Sequence, residues 1–516
     1  MIELCASRAW TDREKLALLE RNLEAWALRH TRRQIADASK SFGLALGPVW
    51  TPAELLQDPQ YSARRFFGDS DAGSSDASRR PRLPMVLAAQ AQSVSLRTIP
   101  ASGNGGPLAG VRVIDLGIIT AGASTSAILA DLGADVIKVE SPAGDSTRRT
   151  GPAQEPGLAA IFLGLNRNKR SVVLDLKRAA AREALLALAD GADVVMHSMR
   201  PAKMAALGLD PDTLCARNPR LVYAGLYGFG EGGAYDGRPA YDDIIQGLSG
   251  LADLVDRQAG APRYLPTVAA DKTCGLVAAH AILAALLQRE RTGRGQRLEV
   301  PMFETMASFA LVEHYYGRHL ADRGDGAPGY PRVLTPWRRP CRTADGHVCL
   351  MPYTDAHWRA FFTESGRPDL AADPRFADID ARTRHIEALY EHMGAIVERR
   401  DTAHWLALCE RLEIPAAKIN RLEDLERDPH LQSVDFFQPL SSAAGARYRF
   451  TRNPVRLERT RVAPAMPPRL GEHTRDILSE AGLDAARIDA LLSDGSAMES
   501  APAAAPSSPT RTETSA

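Results

Sequence analysis

From Pro107 onward, short β-branched runs alternate with helix-length segments, and that alternation leaves few folds open. Residues 111–116, 135–140, 171–176, 192–196 and 221–224 read as strands. Between them, 121–132 reads as a helix of small residues and 178–189 as a second helix. Each crossover is long enough to return the chain parallel to the strand it left, in the right-handed sense. The expectation is the α/β class with a mostly parallel sheet.

Past Pro301 the pattern changes. Residues 325–345 are rich in Gly, Pro and Arg, and a mainly helical stretch follows over 357–437. Its helices are expected at 384–398 and at 402–412, the latter opened by an Asp401/Thr402 cap. The organisation read from this is a large domain over 107–320, a smaller mainly helical α+β domain over 321–437, and a further segment over 438–496. Residues 497–516 are Ala/Pro/Ser/Thr-rich and predict a disordered tail.

The chain also repeats itself. Residues 12–67 lie over 382–437 at a constant offset of 370 residues, matching Asp58-Pro59 with Asp428-Pro429 and Phe66-Phe67 with Phe436-Phe437. Leu55 falls on Leu425, and both segments carry an amphipathic helix pair before a short loop. The offset is close to the length of the unit that starts at Pro107. Residues 1–67 therefore read as the end of an upstream copy whose body is absent, and 68–106 as a linker.

Composition narrows the function. Lysine plus arginine and aspartate plus glutamate each number 63 in 516 residues. A zero net charge provides no general attraction for nucleic acid or an anionic membrane. The longest apolar run, 276–287, is too short for a bilayer and carries His280. Glu3, Arg8, Asp12 and Glu14 leave no apolar export segment near the start. Six scattered cysteines, with no CxxC and no cysteine–histidine spacing, fit reduced thiols in a cytoplasmic protein without a metal site.

Three motifs stand out. Gly228, Gly230 and Gly233 form a GxGxxG, but turn residues rather than a helix follow, so a plain loop is expected instead of a dinucleotide site. Asn166-Arg-Asn-Lys-Arg170 is a basic cluster before a strand, either a solvated turn or a polyphosphate contact. Asp271 precedes an apolar run and is placed as a helix N-cap. A carboxylate there would also stay ionised at the positive end of the helix and be desolvated enough to attack. His280 is expected inside the core, Lys272 and Arg289 in solvent. Asp242 or Asp243 could cap another helix.

Taken together, the motifs resemble a known family. Pro107-Leu-Ala-Gly-Val-Arg-Val-Ile-Asp-Leu116, Leu132-Gly-Ala-Asp-Val-Ile-Lys-Val-Glu140, Gly144-Asp145 and Leu165-Asn-Arg-Asn-Lys-Arg-Ser171 are similar to the opening of class III CoA-transferases of the CaiB/BaiF type. So, in order, are Leu174-Asp-Leu-Lys177, Asn218-Pro-Arg-Leu-Val-Tyr-Ala224, Gly228-Phe-Gly230, Tyr241-Asp-Asp-Ile-Ile-Gln246, Asp271-Lys-Thr273, Arg291-Thr-Gly-Arg-Gly-Gln296 and Gly471-Glu-His-Thr474. The resemblance covers about 107–490. It implies a Rossmann-like large domain, a small domain, a C-terminal segment returning to the large domain, and an interlocked homodimer. Residues 12–67 resemble the end of the family's small domain, as in a tandem fusion that lost most of its first half.

The same resemblance implies CoA transfer from an acyl-CoA to a carboxylic acid, with CoA as substrate and no tightly bound cofactor. Asp271 matches the aspartate that forms an acyl anhydride and then an aspartyl-CoA thioester. Thr120 matches a position near the acyl group that is often glutamine, and Tyr241 and Asp242 match a neighbouring tyrosine and carboxylate. Ile119, Ala121, Leu174, Lys177, Ser198 and Met199 match positions lining the CoA site. Ser141 and Ala206 stand where relatives place basic residues, so the CoA phosphates are assigned to Arg148, Lys169, Arg170, Arg200 or Lys203. No glycine-tetrad loop occupies 322–335, which disfavours oxalate as substrate.

Two other functions compete. The α-methylacyl-CoA racemases of this family resemble one another in a histidine where Tyr241 stands, and a tyrosine with an ordinary pKa near 10 is a poor base at neutral pH. A non-catalytic CoA-binding subunit would fit the incomplete repeat, against which an intact Asp271 argues.

Overall fold

The computed structural model describes residues 13–42, 46–55, 57–64, 66–68, 80–81, 86–87, 105–320, 326–458, 460 and 462–500. Its centre is an eight-stranded sheet. In chain order the strands are β1 (Val86–Leu87), β2 (Arg112–Leu116), β3 (Asp135–Glu140), β4 (Lys169–Leu174), β5 (Val194–His197), β6 (Val222–Tyr227), β7 (Gln296–Pro301) and β8 (Ala497–Met498). Their order across the sheet is β8-β4-β3-β2-β5-β6-β7-β1. The inner six are parallel. β1 and β8 run antiparallel on the two edges.

The six parallel strands thus read 3-2-1-4-5-6, the doubly wound Rossmann order, in which a crevice opens where the order reverses. That point lies between the carboxyl ends of β2 and β5, which pair from Val113–Val194 to Leu116–His197. Alternate residues feed two cores, as the period of a strand requires. Val113, Val136, Val194 and Val222 face one hydrophobic cluster. Ile114, Ile137, Val195 and Tyr223 face the other.

Seven helices matter below. In chain order they are α1 (Arg13–Ala27), α2 (Arg32–Phe42), α3 (Ala121–Asp131), α4 (Asp242–Leu248), α5 (Ala269–Thr292), α6 (Ile386–Val397) and α7 (Thr402–Arg411). Helices α6 and α7 pack in a separate core around Trp358, Phe361, Leu389 and Trp405, beside a three-stranded antiparallel sheet. This is the smaller, mainly helical α+β domain. Asp401 caps α7, accepting from the amide of His404. The C-terminal segment then returns to the large domain, where Ile477, Leu478, Ile488 and Leu491 join the second core cluster.

Five expectations change. Within 68–106, Val86–Leu87 is a sheet strand paired with β7. Ala497–Met498, placed in a tail, pairs with β4 instead; residues 501–516 lie outside the described residues. The apolar run 276–287 belongs to a 24-residue helix long and apolar enough to cross a membrane, half of whose apolar window is buried within the protein. His280, expected in the core, is exposed together with Leu276 and Leu287, and Arg289, expected in solvent, is buried against Asp193. His280 falls four residues after Leu276, on the same outward stripe.

Candidate active site

The turn after β2 is the first wall of the crevice. Ile119 sits at φ 59°, a left-handed conformation unusual for a β-branched residue. A buried network holds it there. Lys138 and Asp145, both fully buried, form an ion pair at 3.0 Å. Lys138 donates to the Gly117 carbonyl at 2.9 Å, and the Ile119 amide donates to Asp145 at 3.3 Å. Burial pushes the Asp145 carboxyl up, but Lys138 and the Thr147 amide outweigh it and hold it below the usual range. The Ile118 amide donates to the Ser198 hydroxyl at 3.0 Å, tying the turn to the loop after β5. His197 begins that loop and is buried; desolvation lowers its pKa to about 4, so the ring is neutral and bonds the Met199 carbonyl at 2.9 Å.

Thr120 ends the turn as the residue before α3, and its side chain makes no capping bond to that helix. Its hydroxyl instead donates to the Asp271 carboxylate. The two meet because α3 and α5 pack closely. A Cβ on Gly275 would collide with the Ser124 hydroxyl and crowd the Ala121 carbonyl at 3.2 Å. Thr125 adds a bond to the Gly275 carbonyl at 3.3 Å.

Asp271 is not the cap of its helix. Val268 occupies that place and α5 begins at Ala269, so Asp271 lies in the first turn. It is partly buried. Tyr241, exposed, is the residue before α4, and Asp242 and Asp243 form the first turn of α4 rather than its cap. Asp242 is buried and accepts from the Asp271 amide at 2.9 Å and from Gln246 at 2.6 Å. Gln246 accepts from the Leu265 amide at 2.9 Å, anchoring the segment that leads into α5.

The helix end does not keep Asp271 fully ionised at neutral pH. Desolvation, then the Asp242 carboxylate, push its pKa up to about 6, against the Thr120 hydrogen bond. The site therefore offers a partly desolvated carboxylate of raised basicity, held at one oxygen by a hydroxyl.

The residues assigned to the coenzyme divide. Ile119 stands in the turn after β2, Ala121 opens α3, and Ser198 and Met199 stand on the loop after β5, where Ser198 packs 3.6 Å from where a Gly122 Cβ would be. Lys177 and Arg200 are exposed beyond the carboxyl ends of β4 and β5. Four others are engaged elsewhere. Leu174 is buried in the second core. Arg148 is buried against Glu140 at 2.6 Å with its guanidinium over Phe162. Lys169 is fully buried beside Asp115 and Asn166, and desolvation lowers its pKa to about 8. Arg170 bridges Asp135 and Glu480. Each cation already has its carboxylate, so neither Arg148, Lys169 nor Arg170 presents a free charge to a phosphate. Lys203 is exposed. A cavity of about 760 Å³, lined by Asp131, Arg167, Arg452 and Arg456 among others, includes none of the site residues.

Comparison with known proteins bears on this geometry. The model of CoA-transferase family III matches residues 4–105 and 108–474. A probable fatty acyl-CoA transferase of Mycobacterium tuberculosis is 33% identical over 394 residues, which are 74% of this chain and 100% of that protein. A succinyl-CoA:mesaconate CoA-transferase of Haloarcula hispanica is 32% identical over 400 residues, 73% of this chain and 97% of the relative. The crystal structure of a CaiB/BaiF family protein from Brucella suis superposes with a TM-score of 0.62 at 32% identity, covering 73% of this chain and all of that one. The chain belongs to CoA-transferase family III.

Proposed function

We propose that this CoA-transferase moves CoA from an acyl-CoA to a carboxylic acid, with Asp271 as the covalent carrier. The single observation behind the reading is a carboxylate of raised basicity, held by Thr120 and Asp242 beside the crevice where the strand order reverses. Asp271 attacks the thioester carbonyl, forming an aspartyl anhydride and expelling CoA thiolate. The thiolate attacks the aspartyl carbonyl, giving an aspartyl-CoA thioester and releasing the donor acid. The incoming carboxylate attacks that thioester, forming a second anhydride and freeing the thiolate. The thiolate then takes the new acyl group and Asp271 is restored. Thioester replaces thioester, so little net driving force exists and the gain comes from dividing the barrier.

In this reading Asp242 positions the Asp271 backbone, and Thr120 orients its carboxylate. Ile119, Ala121, Ser198 and Met199 border the coenzyme, with Lys177, Arg200 and Lys203 left to meet its phosphates. The relative that acts on succinyl-CoA and mesaconate supports small dicarboxylates as the first acids to try.

The test is trapping. Wild-type protein treated with acyl-CoA and then hydroxylamine should carry a hydroxamate on Asp271 by peptide mass spectrometry, and Asp271→Asn should carry none. Exchange of the α-proton in deuterium oxide without trapping would replace transfer by racemisation. CoA binding with neither signal would leave a non-catalytic subunit.

A further inference from the structure

One carboxylate of the large domain is buried without a cation of its own. Glu304 lies in the first turn of the helix Met302–His314 and is 2% exposed. Its Oε1 accepts from the Gln60 side chain at 3.2 Å and lies 3.8 Å from the Arg64 guanidinium. Its Oε2 meets no donor among the described residues. A charged oxygen left bare at that depth is strongly disfavoured, and a proton removes the charge.

The cover over Glu304 is a short piece of chain, residues 58–64. Tyr61 stacks on Phe303 at 4.3 Å. Gln60 accepts from the Tyr235 amide at 2.5 Å and donates to the Gly230 carbonyl at 3.1 Å. A Cβ on Gly233 would overlap Gln60 and one on Gly230 would overlap Arg64, so the GxGxxG run admits a piece of chain rather than a pyrophosphate. Residues just upstream brace α4. The Trp50 amide donates to the Gly247 carbonyl at 3.0 Å, and a Cβ on Gly47 would meet Ile244 and Leu248. The seated segment therefore continues into the support of the helix that carries Asp242.

The charges in this seat do not balance. Arg64 pairs with Glu299 and Arg297 with Glu231, beside a neutral His197. The Tyr227 hydroxyl lies 2.7 Å from Glu231 and 3.3 Å from Glu299, joining the two pairs. Asp58 accepts from the Tyr235 hydroxyl and faces Arg238. Three guanidiniums thus serve three carboxylates, and Glu304 is left over. Tyr61 and the buried Cys274 thiol of α5 both feel the Glu304 charge, and Cys274 feels Asp242 and Asp271 as well; none of these brings a positive charge. Burial pushes the Glu304 carboxyl up to about 7, with Glu299 adding to the shift and Gln60 and Arg64 opposing it.

We propose that Glu304 is a proton gate on this seat: residues 58–64 close over it while its carboxyl carries a proton, and their hold weakens once it ionises. Closed, the carboxyl titrates at about 7; opened to water it returns towards its ordinary 4.5, so closing takes up a proton in the interval between. The closing equilibrium should fall about tenfold per pH unit as pH rises from about 5 to about 7, and level off above that. Asp58, also raised by burial, acts in the same sense, and a variant at Glu304 separates the two.

Hydrogen exchange on the full chain reads the gate. After correction for the intrinsic pH dependence of exchange, opening at the amides of 60–64 and of Tyr235 should increase about tenfold or more between pH 5.5 and pH 7.5, and change little up to pH 8.5. Glu304→Gln keeps the shape and cannot ionise, so its opening should vary less than about threefold over the same range. Glu299→Gln tests the charge balance: it releases Arg64 to serve Glu304, and the rise should move to lower pH by about half a unit or more. A wild-type profile without the rise overturns the proposal, and that measurement needs no variant to fold. A rise of wild-type size in Glu304→Gln, or one that Glu299→Gln leaves in place, overturns it as well.

Discussion

Asp242 accepts a hydrogen bond from the backbone amide of Asp271 at 2.9 Å, so one carboxylate holds the other in place while repelling its charge. The same contact that fixes the proposed nucleophile adds to the desolvation that raises its basicity. For an acyl carrier that combination is useful, because a more basic carboxylate attacks faster once ionised.

Replacement of the carrier is the first prediction. Asp271→Asn should lower kcat for CoA transfer by about 10³-fold or more, with acyl-CoA affinity within a few-fold of wild type. Single-turnover assays and calorimetric binding of a CoA thioester separate the two. Residual turnover near wild type would remove Asp271 from the chemistry.

Stability should move the other way. The folded-state pKa of Asp271 is raised to about 6 from an ordinary 3.8, so the fold favours the protonated form. Its ionisation therefore weakens the fold fully above about pH 6, and the penalty fades as pH falls towards 4. Solvent at the partly exposed carboxyl limits the effect to on the order of 1–2 kcal/mol. Asp271→Asn should accordingly melt higher than wild type at pH 8 and lose that advantage by pH 4. In the wild type, kcat/KM should rise with pH through about 6.

Thr120 supplies the hydrogen bond that opposes this shift. Thr120→Val should move the acid limb of the kcat/KM profile upward by roughly half a unit to one unit and lower kcat about tenfold. Thr120→Ser, which keeps the hydroxyl, should restore most of both. A pH profile unmoved by valine would show that the hydroxyl does not act on Asp271.

Gly275→Ala tests the close approach of α3 and α5. The added methyl meets the Ser124 hydroxyl, so destabilisation of about 1–3 kcal/mol is expected in denaturant titrations. Ser124→Gly in the same chain should recover much of it, by removing the atom that the methyl meets.

Arg200 and Arg170 offer a paired comparison. Arg200 is exposed beside the crevice, whereas Arg170 is divided between Asp135 and Glu480. Arg200→Ala should raise KM for acyl-CoA several-fold with Tm unchanged. Arg170→Ala should lower Tm while leaving KM alone. The reverse outcome would exchange their roles.

Much of this was readable from residues alone, for physical reasons. The parallel strands announce themselves as short β-branched runs set between helix-length segments, and 135–140 matches β3 residue for residue. Asp271, Thr120 and Asp242 come together in space as their motifs implied. The phosphate contacts were misread because a sequence shows a charge but not its partner: Lys169 meets Asp115 from 54 residues away, and Arg170 meets Glu480 from 310. The start of α5 was misplaced because Val268 and Ala269 carry no capping signal. Strands β1 and β8 are two residues each, too short for any period to appear.

Those two brief strands have a consequence of their own. An open row of backbone donors and acceptors invites a neighbour to zip on, and many parallel sheets must blunt that invitation with charge or proline. Here each margin is bordered by an antiparallel residue pair recruited from far along the chain, Val86–Leu87 on one side and Ala497–Met498 on the other. Clipping the polypeptide just before residue 497 would unhem the margin at β4, and such trimmed protein should become sticky well before it loses its fold.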